Sequence, residues 1–303
     1  MIINSDEHLF LIGRPPLMQF LNFVATHTPS GEPFQERVLS MEWRTANDHV
    51  VRLQQSEPAF ADNPRISPLP IHVEPLVATL LKSKSVEKFF SIAPITIGIV
   101  ELDRLVVYQK HINLTYIRDI QSSIPKNPSL EELLCICLPE SAEKPPVGIG
   151  RVSNSAYVFS SISNDLRFLD ALQVDGVKFP ELSEYGTKTI GVLLVVGYGP
   201  NLLSAIKMGN RLILQNGNHR AFALRELGIT HVPCIIEHIS RHDELEIVAA
   251  GELLENSERY FNEPRPPVLR DYFDPNLRKL CRVKRNIRQV KISYGVDATN
   301  VPA

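Results

Sequence analysis

The chain has 303 residues, of which 44% are hydrophobic and 22% charged, and its formal net charge is −2. That length can bury a sizeable core and hold either two domains or one elaborated domain. The near-neutral charge excludes a protein that coats nucleic acid with its whole surface. No apolar run approaches the ~20 residues of a membrane helix.

Asp6 and Glu7 precede the first apolar stretch and Arg14, Pro15 and Pro16 interrupt it, so no secretory leader is read and the cytoplasm is expected. Cys135, Cys137, Cys234 and Cys281 lack zinc-finger spacing and read as reduced and mostly buried, with no metal site.

In chain order, residues 1–93 show little regular pattern. Residues 17–25 suit a short helix after Pro15 and Pro16, and residues 34–55 mix charge with apolar side chains around Trp43. Pro64, Pro68, Pro70 and Pro75 then break regular structure, giving a linker or a proline-stiffened arm. Residues 77–90 fit one helix with Leu80, Leu81 and Phe89 on its buried side.

Pro94 ends that helix, and residues 95–100 alternate as a strand that opens the core. Glu101 and Asp103 follow, where open α/β sheets place functional carboxylates; an ordinary solvated strand end fits them equally.

Residues 125–189 are long enough to form an inserted lobe. Within them Ser129, followed by Glu131 and Glu132, caps a helix reaching Cys137. Residues 139–146 read as loop and residues 157–162 as strand. The stretch 160–170 is either a second ligand wall or a cap with Arg167 paired to Asp165 or Asp170.

Residues 190–196 are nearly all apolar and predict a strand buried on both faces. The Gly197-x-Gly199-Pro200 turn lacks the third glycine of a dinucleotide fingerprint. Residues 202–208 are read as a short helix.

Residues 212–236 then run as strand, glycine turn, helix and strand. Leu212, Ile213 and Leu214 make the first strand; Ala221, Leu224 and Leu227 give a helical stripe; Gly228 suits the left-handed stop; residues 232–236 make the second strand. Gly217, Asn218, His219 and Arg220 fall where the helix begins. Unpaired N–H groups and the positive helix end favour a phosphate there, Asn216 or Asn218 can cap, and Arg220 can clamp bidentately. A hairpin turn with a surface His219 and an Arg220 ion pair fits the same residues.

The run from Asn216 to Leu224, closing with Gly228 to Pro233, resembles the signature of the ParB/sulfiredoxin-like superfamily. A weaker likeness to the first strand and following helix of the ParB amino-terminal domain covers residues 97–124, and implies a helix over residues 114–124. The resemblance implies an α/β mixed-sheet core over residues 94–240, with the insertion at 125–189, an arm at 1–93 and further helices at 241–303. It implies nucleotide binding (ATP, ADP or CTP, with a divalent metal such as Mg) through Asn216, Gly217, Asn218, His219 and Arg220. Kinase-like members also suggest Glu101 as a base, so Glu101 and His219 are the candidate catalytic residues, acting on a small-molecule substrate. Asn218 stands where a sulfiredoxin carries its cysteine, and an amide is no thiolate nucleophile, which argues against redox chemistry. Asn218 also replaces the acid of the ParB turn.

Beyond the core, residues 243–256 predict one helix with no helix-turn-helix after it. Between residues 275 and 296 there are seven Lys or Arg and no acid, with Leu280, Val283, Ile287 and Val290 three and four apart. These read as a basic amphipathic helix over 278–291, either a solvated face or a nucleic-acid surface. The functional expectation is a nucleotide-dependent phosphoryl-transfer enzyme or switch; the alternative is a nucleic-acid-associated ParB-like protein.

Overall fold

The computed structural model describes residues 5–29, 35–139, 144–163, 165–175, 179–186, 189–199, 201–249 and 251–300. The chain divides into two compact units, residues 1–141 with 200–285 and residues 142–199 with 286–303. The first unit opens with β1 (Ser5–Leu11), α1 (Leu17–His27), α2 (Glu36–Ser56), β2 (Ile66–Ser67), α3 (Glu74–Leu81) and α4 (Lys84–Phe89). It continues through β3 (Ile95–Glu101), β4 (His111–Asn113), α5 (Leu114–Ser122) and α6 (Leu130–Cys137). The second unit contributes β5 (Gly148–Ser153), β6 (Ala156–Ser161), β7 (Leu166–Asp175) and β8 (Ile190–Tyr198). The first unit resumes with β9 (Ser204–Met208), β10 (Arg211–Asn216), α7 (Asn218–Glu226) and β11 (His231–Ile239). After α8 (His242–Val248), α9 (Glu252–Glu255), α10 (Ser257–Phe261) and β12 (Arg278–Lys284), β13 (Arg288–Ser293) belongs to the second unit.

The protein is thus mixed α/β, and its main sheet has the order β10-β9-β11-β3-β2. β11 runs parallel to β9 and antiparallel to β3, which makes the sheet mixed. Strand alternation sends Ala205, Leu212 and Leu214 to a core shared with Leu134, Ala221 and Leu224, while Ile206, Ile213 and Ile239 meet Leu245, Leu253 and Tyr260. Both faces are therefore covered. Residues 202–208 were expected to be helical, but Ser204 to Met208 pair with both β10 and β11, and the two-residue alternation of Ala205 and Ile206 across the sheet outweighs any helical preference.

Residues 1–93 are no separate arm. β1 is the centre of an antiparallel sheet ordered β12-β1-β4. Its Phe10 packs with Phe20, Leu21 and Val24 of α1 and Leu39 and Ala46 of α2, while Leu9 and Leu11 enter the main core. The 21-residue α2 contains neither Gly nor Pro, and its buried Leu39, Ala46 and Val50 recur at helical spacing. Gly13, at φ +80°, makes the close approach: a Cβ there would lie 2.5 Å from the Ala46 carbonyl carbon. The expected 77–90 helix is two, α3 and α4, because the Ser83 hydroxyl caps a new start by accepting from the Val86 N–H. Leu80 is buried but Phe89 is exposed.

The expected 243–256 helix is likewise divided, into α8 and α9. The basic helix over 278–291 is replaced by two strands. In β12, buried Cys281 and Val283 alternate with Leu280 and Arg282, a period of two that overlaps the three-and-four spacing of the same residues. Lys279 pairs with Glu42 and Arg285 with Asp6.

The second unit holds a sheet ordered β13-β6-β5 and the ribbon β7-β8. The inserted lobe therefore extends to β8 and recruits the chain end. β8 was expected to be buried on both faces, yet Ile190 and Val192 are 66% and 69% exposed. Its one strand partner among the described residues is β7, and a two-stranded ribbon covers little. Asp165 lies 3.4 Å from Arg167 and 3.2 Å from Lys144, the internal pairing expected of a cap. Asn164 of that stretch, Pro200 of the Gly-x-Gly turn and residues 140–143 of the 139–146 loop lie outside the described residues.

In the first unit, the buried Asp271 carboxylate receives Arg265 Nη2 at 2.6 Å and the Val268 N–H at 3.1 Å, and lies 3.0 Å from Arg14 Nη2. Asp271→Asn strands two buried guanidinium groups, so urea unfolding should show a loss of about 3–5 kcal/mol. A loss below 1 kcal/mol would mean that the network is dispensable.

Candidate functional site

The turn after β10 has the expected local shape. Asn216 Oδ1 accepts the Gly217 N–H at 2.9 Å, and Gly217 adopts φ +89°. A Cβ at Gly217 would lie 3.1 Å from the Leu203 Cα, so glycine is required by both conformation and space. α7 starts at Asn218 and has no acid in its first turn. The N–H groups of Asn218, His219 and Arg220 have no acceptor among the described residues, as the first turn of a helix dictates. Gly228, at φ +85°, ends the helix as expected.

Side chains in the turn take roles different from those expected. No side chain caps α7; Asn216 is bonded to Gly217, and Asn218 is 6% exposed with its buried Oδ1 unpartnered. Arg220 is buried, and its Nη1 donates to the Cys137 carbonyl at 3.0 Å and the Asn201 carbonyl at 2.8 Å. It therefore fastens α7 to the end of α6 and to the segment entering β9. Burial lowers its pKa from the ordinary arginine value, with Cys137 and Tyr116 opposing.

His219 points its Nε2 at the Asn113 N–H, which donates at 3.1 Å, and Tyr116 meets its ring edge-on at 5.4 Å between centroids. A nitrogen that accepts cannot carry the proton, so the proton of the neutral ring sits on Nδ1. Burial, aided by His8, lowers the His219 pKa to about 4. Nearby, His8 Nδ1 and His111 Nδ1 are 2.9 Å apart, and burial followed by His8 lowers His111 to about 3.

Glu101 does not join this group. It pairs across the sheet with His231, beyond the far end of α7, and the Leu102 N–H donates to the Thr230 carbonyl. Nine helical residues separate that end from the turn by about 13 Å. Asp103 is at the same far end, held bidentately by Arg225 at 2.6 and 3.0 Å. The two candidate catalytic residues, Glu101 and His219, are thus not brought together.

Asn113 is the residue that sequence reasoning missed. Its Oδ1 caps α5 by accepting from the Tyr116 N–H, its Nδ2 donates to Asp6, and its N–H fixes His219. An Asn directly before the 114–124 helix was a readable N-cap signal. No disulfide joins the four cysteines, and Cys135 alone of them is exposed; burial pushes Cys137 up to about 12 and raises Cys234. Among the described residues no cluster of His, Cys, Asp or Glu could hold a metal ion, and no helix is long and apolar enough to cross a membrane.

Comparison with family models, with curated proteins and with solved structures found no match.

Two titrations follow from burial. Because His219 is lowered from 6.5 to about 4, the unfolded chain binds its proton first, so this stability is full above pH 6.5 and is lost as pH falls toward 4. In chemical denaturation, His219→Gln should flatten that acid limb by up to about 3 kcal/mol. An unchanged slope between pH 6.5 and 4 would show that the ring protonates freely in the fold. Buried Glu237 on β11 has the opposite sign, since burial pushes it up from 4.5 to about 7. Stability should therefore fall as pH rises from 4.5 to 7, and Glu237→Gln should be the more stable protein at pH 7.5 by up to about 3 kcal/mol. Equal melting temperatures at that pH would contradict the burial argument.

Proposed function

We propose that the protein binds a nucleotide by its phosphates at the start of α7, in the manner of the ParB/sulfiredoxin-like superfamily. The observation that carries this reading is the amino end of α7, where the N–H groups of residues 218–220 have no acceptor among the described residues. Fixed backbone donors and a positive helix end favour a phosphate, with no acid nearby in the first turn to repel it. The order β10, glycine turn, α7, β11 beside β3 agrees with the strand-and-helix order expected from the resemblance.

In this reading the recognition is made by backbone. Gly217 brings the chain close, Asn218 offers its amide, and Arg220 holds the turn in place through its bonds to Cys137 and Asn201. Neutral His219 orients the turn through Asn113 and can pass a proton only through Nδ1. Glu101 lies too far along α7 to act as base there, so the reading favours nucleotide binding over a phosphoryl transfer by the Glu101 and His219 pair. The proposed ligand is a nucleoside di- or triphosphate such as ATP, ADP or CTP, accompanied by Mg.

The test is a thermal-shift comparison of ATP, ADP, CTP and GTP with Mg. A ligand at a hundred times its dissociation constant stabilises by about 2.7 kcal/mol. Asn218→Asp places a negative charge at the helix start and should abolish the shift. Asn218→Ala should cost less than about 1 kcal/mol of stability, because no cap bond is lost. No shift with any of the four nucleotides, or an equal shift in Asn218→Asp, overturns the reading.

A further inference from the structure

The β7-β8 ribbon of the second unit has two unlike strands. β7 carries Arg167, Asp170 and Asp175, and its register breaks between Phe168 and Asp170. The Asp170 Oδ1 also accepts the Ala171 N–H at 2.8 Å, which withdraws one backbone donor. Charge and a bulge are the means by which an edge strand is kept from pairing with another chain. β8 has neither: Ile190–Tyr198 consists of Ile, Val, Leu, Gly and one Tyr, with no charged residue and no proline. Among the described residues β7 is its one strand partner, and no backbone hydrogen bond reaches residues 190–198 from any other segment. The outward row of N–H and C=O groups of β8 is therefore open.

Apolar side chains stand exposed along this edge. Ile190 and Val192, at 66% and 69%, share one face with the exposed Leu194 and Phe168, while Leu172 and Leu193 are exposed on the other. At the start of β8 that other face is filled, since a Cβ at Gly191 would lie 3.0 Å from Val174 and 3.5 Å from Leu182. The face of Ile190 and Val192 thus carries the larger bare area. A strand this apolar is suited to burial on both faces, and a single chain does not supply it. Apolar surface continuous with an unblunted edge marks an interaction site.

We propose that β8 pairs antiparallel with β8 of a second copy of this chain across a two-fold axis near Val192, joining two ribbons into one sheet of order β7-β8-β8-β7. Charge selects the second copy as the occupant. A self-pairing strand meets its own sequence reversed, and in Ile190–Tyr198 every such meeting sets uncharged residues against each other, so no register brings like charges together. A charged strand of another protein would find no counter-charge on β8. With Val192 opposite its own copy, Ile190 faces Leu194, and the most exposed side chains of one copy cover those of the other. The opposed residues 190–194 exchange about five backbone hydrogen bonds, the lower end for a standard interface, so the dimer dissociates on dilution. Pairing stops at two copies, because the bulged and charged β7 strands become the outer strands of the joined sheet. Only residues of the second unit take part, and the proposal stands independently of the nucleotide reading.

The test is sedimentation equilibrium of the full chain from about 1 to 100 µM, which should show a monomer that passes to a dimer and no further. Val192→Lys sets two ammonium groups opposite each other and should raise the dissociation constant of the dimer at least about tenfold. The melting temperature of the monomer should stay near that of the parent chain, because the side chain is exposed. If that variant fails to fold, Ile190→Lys takes its place with the same expectation. Hydrogen exchange locates the contact: the amides of residues 190–194 should become better protected as the dimer forms. A monomer at every concentration overturns the proposal and leaves the edge to an extended segment of another protein. Growth past the dimer, a dimer equally tight in the lysine variant, or one whose 190–194 amides exchange as they do in the monomer overturns it as well.

Discussion

One buried carboxylate holds the first unit together. Asp271 is 2% exposed and serves Arg14 near the start of the chain, Arg265 near its end and the Val268 N–H between them. A charge so deep is tolerated only when fully paired and hydrogen-bonded. Around it, Glu57 at the end of α2 receives both Arg265 and Arg270, and those two guanidinium groups stand over the Phe60 ring at 5.0 and 3.9 Å. The proline-rich stretch that follows α2 is thereby pinned to a segment some 200 residues later. This is why residues 1–93 are structural and not a linker: their charges complete a network that the carboxy-terminal segment cannot close alone.

That network also sets the two sheets in register. Arg14 lies three residues after β1, and the 265–271 segment leads directly toward β12, the antiparallel neighbour of β1. Val106 bridges Ile213 of β10 on one side and Val268 on the other, so the segment carrying Asp271 also touches the edge of the main sheet. The turn at Gly217 leaves that edge strand. Its geometry therefore depends on packing from Leu203, on Arg220 to two carbonyls and on Asn113 to His219, each from a different part of the chain.

Local signals made part of this legible. The unit from β10 to β11, β3, the capped α6 and β6 all follow from short-range pattern: alternation, an N-cap serine with its glutamate, and glycines at the ends of α7. What could not be read were elements whose identity depends on distant partners. Leu202 and Leu203 before β9 and Ile206 within it fall at spacings that also fit a helix, and only pairing with β10 and β11 decides the strand. β12 is similar, because Val283 fits a helical spacing with Leu280 and a two-residue alternation with Cys281, and only pairing with β1 decides between them. β1 itself was hidden by three polar residues at its start, and its burial on both faces follows from helices that lie after it. The candidate site was legible in backbone and illegible in side chains. Asn216 to Arg220 fall at the helix start as expected, but nothing local tells that Arg220 turns to the carbonyls of Cys137 and Asn201.

The burial of Arg220 and His219 changes what kind of recognition the turn can perform. An exposed arginine clamp would bring a full charge, strongly screened by salt and free to move with its long side chain. Here the arginine is fixed by two carbonyl acceptors and the histidine is neutral, so the donors available at the start of α7 are backbone N–H groups, with the helix dipole and the buried charge of Arg220 behind them. Such donors carry partial charges that are already oriented and lose no side-chain entropy on binding.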